Sequence, residues 1–272
     1  MMCSTPGPIR GGTGGTIAPD FAILELIAAM VFFYMSLFYF YVTTITERII
    51  NSEDPTKWKL PISDVGFLNI TYSPNYEIAW ICQSCAATVA SSAFCMSDIL
   101  VAALLVDLAT QYKILRRQMQ KAFYTDDSTG FNWFYLHGKI KRCVTHHLHI
   151  IKLTEDVEEI CSTIVFIGVV AGLSVTSFSL YYASVLPLLD FKALQSYLEV
   201  GMIISSLFFL CYCGTELSEA SQSIASACYE ANFVGTDLRF QKSLMFIMMR
   251  SQKPARITVG KFTELSIAIF TV

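Results

Sequence analysis

The chain has 272 residues, of which 54% are hydrophobic and 15% charged, with a formal net charge of -3. Soluble domains run at about 45–50% and about 25%, so this is a membrane composition, and it excludes a disordered chain, a collagen and a long coiled coil. The charge leaves no basic field for nucleic acid.

Residues 1–20 carry Gly11, Gly12, Gly14 and Gly15 and one cation, Arg10, before any apolar run. They read as a flexible leader rather than a signal peptide. The first span follows over about 21–46, uncharged from Leu26 to Thr46. About 20 apolar residues are needed to cross hydrocarbon roughly 30 Å thick, where lipid offers the backbone no hydrogen-bond partner. The connection after it holds Asn69-Ile70-Thr71, an N-glycosylation sequon at Asn69 that makes the chain a candidate glycoprotein.

A second span covers about 78–105, and its helical pattern continues through Leu115 and Met119 while Asp107, Lys113, Arg116 and Lys121 gather around it. A continuous helix from Ile78 to Gln120 is about 64 Å long, roughly twice the hydrocarbon thickness, so it projects from the bilayer. Ile140 to Ile160 has the same character and leads into a third span over about 160–189, closed by Pro187. The fourth span covers about 193–215 and carries Glu199 near its start. Glu216 to Arg256 reads as a long polar connection containing one packed helix, Phe240 to Met249. A closing helix from Ile257 to Val272 would be a partial span.

Lys and Arg set the orientation, because cytoplasmic connections hold the excess. Asp107–Thr154 and Glu216–Arg256 together hold thirteen, and the other two connections hold four. The long polar segments and the N-terminus are therefore expected in the cytoplasm, with Asn69 outside. The fold class is all-α: a polytopic membrane helix bundle with cytoplasmic helical extensions.

Few residues suggest reaction chemistry. Cys82-Gln-Ser-Cys85 lacks a second ligand pair, and Cys143, His146, His147 and His149 have only His137 beyond them. A solvated or subunit-contact face is the reading for this cluster, and for Glu155, Asp156, Glu158 and Glu159. No nucleophile elbow, phosphate loop, dinucleotide fingerprint or HExxH motif is present. An enzyme is not expected, nor a metal or cofactor.

The C-terminal third is the most distinctive text. Gly214-Thr215-Glu216-Leu217, Ser221, Ala227-Cys228-Tyr229-Glu230, Phe240-Gln241-Lys242-Ser243-Leu244, Arg250-Ser251-Gln252-Lys253-Pro254 and Gly260-Lys261-Phe262, in that order and spacing, resemble the closing block of insect odorant receptors. Ser73-Pro74-Asn75-Tyr76-Glu77, with Gln83 and Asp98, looks like that family's second extracellular loop entering its fourth span. The resemblance covers residues 21–272.

It implies seven spans, a cytoplasmic N-terminus, residence in the plasma membrane and a ligand-gated cation channel formed with a co-receptor subunit. The spans here would then be the third to sixth with the start of the seventh. A chain so truncated is expected not to conduct odorant-gated current even beside a co-receptor. A gustatory-type receptor shares the topology, although the closing block resembles the odorant branch; a G-protein-coupled receptor needs the opposite orientation.

Odorants are small and mostly apolar, so an apolar, aromatic pocket in the membrane suits them. Candidate ligand-binding residues are Phe33, Tyr34, Leu37, Phe38 and Tyr41 on the first span, Trp80, Gln83 and Ala87 on the second, and Tyr197, Val200 and Ile203 on the fourth. Gly168 and Gly172 have the spacing of a close helix contact. Phe240, Leu244 and Ile247 are the candidate subunit contacts with the co-receptor, and Pro254 and Gly260 bracket a possible break before the pore helix.

Overall fold

The computed structural model describes residues 17–52, 58, 60, 72–123, 133–187, 191–231, 233 and 236–270, the side chains of 17–29, 32, 33, 122, 123, 133–136, 191, 192, 269 and 270 excepted. Four long helices come first: α1 (Ile17–Ile50), α2 (Asn75–Phe123), α3 (Trp133–Val185) and α4 (Phe191–Tyr229). A short α5 (Leu238–Ser251), a two-stranded hairpin of β1 (Thr258–Val259) and β2 (Thr263–Glu264), and α6 (Ile267–Phe270) follow.

Length and hydropathy explain the long helices. Among the described residues, α2, α3 and α4 are each long and apolar enough to cross a membrane. With 49 and 53 residues, α2 and α3 are about 74 and 80 Å long. Hydroxyls inside them turn back on their own helix: Thr88 Oγ1 donates to Ser84 O at 2.8 Å and Ser174 Oγ to Val170 O at 2.9 Å, which satisfies them without a partner in lipid. α3 stops at Val185, ahead of Pro187, whose ring lacks an N–H and disfavours helix in the residue before it.

The core lies toward one end. It is built from Val101–Met119 of α2, Ile140–Val165 of α3 and Phe209–Cys228 of α4, with α5, Ile257 and Leu265 closing over it. Leu105, Leu115, Met119, Leu217 and Ile224 are fully enclosed, at 0% exposure. Toward the Asn75 end the same helices expose apolar side chains, among them Val89 and Phe178. Such a surface is stable against hydrocarbon and not against water. The helices are also joined by polar contacts: Ser206 Oγ donates to Asp98 Oδ2 at 3.0 Å, Gln120 Nε2 donates to Glu230 Oε2 at 2.9 Å, and Lys113 pairs with Glu216.

Two expectations need correction. α4 does not end at Thr215 but runs to Tyr229, so the segment from Glu216 opens as helix. Its inward residues there, Leu217, Ala220, Ile224, Ala227 and Cys228, fall at helical spacing and are buried. Nor is there a continuous closing helix from Ile257. Gly260 at φ 59° and Lys261 at φ 64° turn the chain back, with Thr258 opposite Glu264 and Val259 opposite Thr263. Helix resumes only at Ile267.

Gly260 is required where it stands. A Cβ there would lie 2.8 Å from the Phe166 ring, and the positive φ disfavours other residues. Gly172 likewise lets Ile203 of α4 approach α3, since a Cβ would lie 3.2 Å from Ile203 Cγ2. Gly168 has nothing within 4 Å, so only half of that glycine pair is used within the chain.

Candidate functional site

The candidate site is the seam between α1 and α2 toward the Asn75 end. Tyr41 is central to it. Its hydroxyl lies 2.9 Å from Ser84 O, to which it donates, and 2.7 Å from Thr88 Oγ1. Its ring meets Trp80 edge-on, with centroids 5.9 Å apart. One turn along α1 toward Ile50, Thr44 Oγ1 accepts from Trp80 Nε1 at 3.5 Å, and two turns the other way Tyr34 OH is 3.3 Å from Ser92 Oγ. Residues 34, 41 and 44 recur at helical spacing, as do 80, 84, 88 and 92, so each helix presents one stripe to the other.

Beside this seam lies a cleft of about 730 Å³, lined by Ile45, Ile49, Trp80 and Ile81 and closed at one end by a charged aromatic cluster. Arg48 pairs with Glu77 there. Its guanidinium stands 5.0 Å from the Trp58 ring centroid and 4.8 Å from that of Tyr76. The two rings meet edge-on at 5.2 Å, and Trp58 Nε1 donates to Asn51 O at 3.0 Å. Ser73 Oγ donates to Glu77 Oε1 at 3.0 Å. The cluster fastens the chain after α1 to the start of α2. Its volume and mostly apolar walls with a few fixed polar groups suit a small organic molecule.

The expected ligand residues are distributed as follows. Tyr41 and Trp80 are in direct contact, and Tyr34 belongs to the same stripe. Gln83, Ala87 and Leu37 are half-buried, whereas Phe38 is 64% exposed. On α4, Val200 is buried, Tyr197 is 40% exposed and Ile203 packs toward Gly172 of α3. The Phe33 side chain and Asn69 lie outside the described residues. Arg48, Trp58, Tyr76 and Glu77 escaped sequence reasoning as a site; a cation directly after an apolar span, with aromatic residues across the connection, was the available signal.

Phe240, Leu244 and Ile247 require correction as subunit contacts. They are 2%, 1% and 4% exposed and enclosed in this chain's own core. The face that α5 leaves open carries Met245, Phe246 and Met249. Among the described residues no three His, Cys, Asp or Glu side chains converge as a metal site would require. Cys143 and His147 turn inward, while His146 and His149 line an outward groove with Lys141 and Arg142.

Residues 22–272 match the family described as 7tm Odorant receptor. The chain belongs to the insect odorant receptor family. This receptor chain is 25% identical to Odorant receptor 10 of Aedes albopictus over 73% of its own length and 52% of that protein. To Odorant receptor 67a of Drosophila melanogaster it is 24% identical over 49% of its own length and 33% of the relative. The chain thus spans about half or less of the curated relatives it matches. Its fold is that of the insect olfactory receptor OR5 from Machilis hrabei, solved in complex with eugenol: TM-score 0.72 at 18% identity, covering 94% of this chain and 64% of that one. The receptor is an all-α helix bundle and a membrane protein.

Proposed function

We propose that this receptor binds small, volatile, largely apolar molecules between the Asn75-end halves of α1, α2 and α4, and gates a cation channel with a co-receptor subunit. The observation that carries this reading is the Tyr41–Trp80 pair, with hydroxyl groups fixed around it and an apolar cleft beside it. Aromatic faces supply dispersion and area, and Tyr41 and Thr88 orient a single polar group on the ligand. Gating follows if the ligand prefers the open arrangement; a few kcal/mol of difference shifts the populations. In this reading the receptor is a multi-pass protein of the plasma membrane, and the thirteen to four cation asymmetry supports a cytoplasmic N-terminus. The co-receptor contact fits the exposed Met245, Phe246 and Met249 face of α5.

The test is current recording from cells expressing the full-length receptor, with this chain's residues, beside a co-receptor. Eugenol and a panel of small alcohols, esters and phenols serve as ligands. Trp80→Ala and Tyr41→Ala are expected to raise the half-maximal concentration about tenfold or more, the loss of about 1.4 kcal/mol or more of contact. Unchanged dose dependence in variants that reach the surface would overturn the site.

A further inference from the structure

At the opposite end of the bundle a second cleft, of about 240 Å³, opens between α2, α3, α4 and α5. Its floor departs from the apolar core around it. Tyr112, His147, Thr154, Ser221 and Ser251 are 2%, 5%, 6%, 4% and 4% exposed, five buried polar side chains in one place. The hydroxyls are occupied. Tyr112 OH lies 3.3 Å from Thr154 Oγ1, Ser221 Oγ accepts from Ala255 N at 2.8 Å, and Ser251 Oγ donates to Ile247 O at 2.9 Å. His147 is the exception: it makes no hydrogen bond among the described residues despite its burial. Its ring nitrogens are not sealed in the core, so they open onto the cleft, where their partner is water or a ligand.

The rim shows what that partner is. Arg250, Lys253 and Arg256 converge on it. Arg256 is paired with Glu264, but Arg250 stands 3.8 Å from Glu155, beyond hydrogen-bond reach, and Lys253 has no acidic partner among the described residues. Glu155 is 68% exposed and free to turn to water, while Glu158 accepts from Thr258 Oγ1 at 2.9 Å. Two incompletely neutralised cations above an unused imidazole N–H disfavour a metal ion and an apolar ligand alike. They suit a compact anion with several acceptor oxygens. The volume admits a phosphoryl group with a few waters, at about 30 Å³ per water. Glu158 lies two residues before the span expected to begin at Ile160, which puts the cleft at headgroup depth.

We propose that this cleft binds a phosphomonoester, held at the rim by Arg250 and Lys253 and at the floor by a ring N–H of His147. The shared chemistry covers a soluble phosphate and a lipid headgroup, and the experiment separates them. The purified chain is melted in phosphatidylcholine nanodiscs against increasing inorganic phosphate, with chloride at matched ionic strength as reference. It is melted again in nanodiscs containing a phosphoinositide.

A saturable rise with phosphate supports a soluble ligand, and a rise with phosphoinositide alone supports a headgroup. Lys253→Gln is expected to move half-saturation about tenfold upward, with Lys253→Arg retaining most of the affinity. Lys253 is exposed, so its loss leaves the fold intact; Arg250→Gln is the second variant. A response no greater than that to chloride in both arms, or an equal response in Lys253→Gln, would overturn the proposal.

Discussion

Tyr41, half-buried, and His147, buried, show how differently two polar residues can be read from a sequence. Tyr41 stands in an aromatic stripe at helical spacing, and the partner stripe on α2 has its own spacing, so the seam was legible before the contact was known. Arg48 was visible only as a charge that sets topology. Its cage depends on Trp58 and Tyr76 meeting across a connection, which no local pattern encodes. His147 sits among His146 and His149, and its inward turn depends on where α3 meets α2 and α5. Burial, reinforced by the Arg250 and His146 charges, pushes its pKa down to about 4. Tyr112 of α2, Glu155 of α3 and Arg250 of α5 face the same cleft. The folded value lies below the unfolded one near 6.5, so this stability is present above pH 6.5 and is lost as pH falls toward 4. At pH 5 the loss is about 2 kcal/mol. Melting in detergent at pH 7 and pH 5 checks this: His147→Gln should flatten the difference, and an unchanged slope in that variant would refute the assignment.

Among the elements, the long helices were the easiest to anticipate, because apolar runs and helical spacing persist in the sequence regardless of neighbours. α5 has the same clarity: Asp237 caps it by accepting from Arg239 N at 2.7 Å, and Phe240, Leu244 and Ile247 form its inner stripe. Their spacing identified an inward face, though not whose interior it enters. The closing hairpin was missed because Ile257–Val272 is apolar enough for helix, and the deciding feature is the left-handed pair Gly260–Lys261. What holds that segment against α4 is Gly214, where a Cβ would come 2.2 Å from Leu265 O. Alanine there gains about 1 kcal/mol in helix propensity but forces a backbone carbonyl away, an overpacking cost of about 1–3 kcal/mol or more. Gly214→Ala is therefore expected to melt several degrees below the parent. A raised melting point would show that Leu265 does not lie against α4.

For the whole molecule, composition and apolar runs were enough to read the helix bundle, and charge gave an expected orientation, whereas the placement of the core at one end required the structure. Orientation can be checked with a cysteine at the exposed position Tyr229, in a background lacking exposed Cys82 and Cys85. A membrane-impermeant thiol reagent should label it only after the cells are opened; labelling of intact cells would reverse the topology. The uneven packing also has a mechanical meaning. α2, α3 and α4 resemble beams clamped where Leu105, Leu115, Met119 and Ile224 are enclosed and free where Val89 and Phe178 face outward. A beam held at one end yields most at its tip, where contacts such as Gly172 with Ile203, Tyr41 with Ser84 and Arg48 with Glu77 resist deflection. A wedge of a few atoms at the tip therefore works with leverage, and the torque it generates is delivered at the clamp, where α5 and the hairpin are fastened.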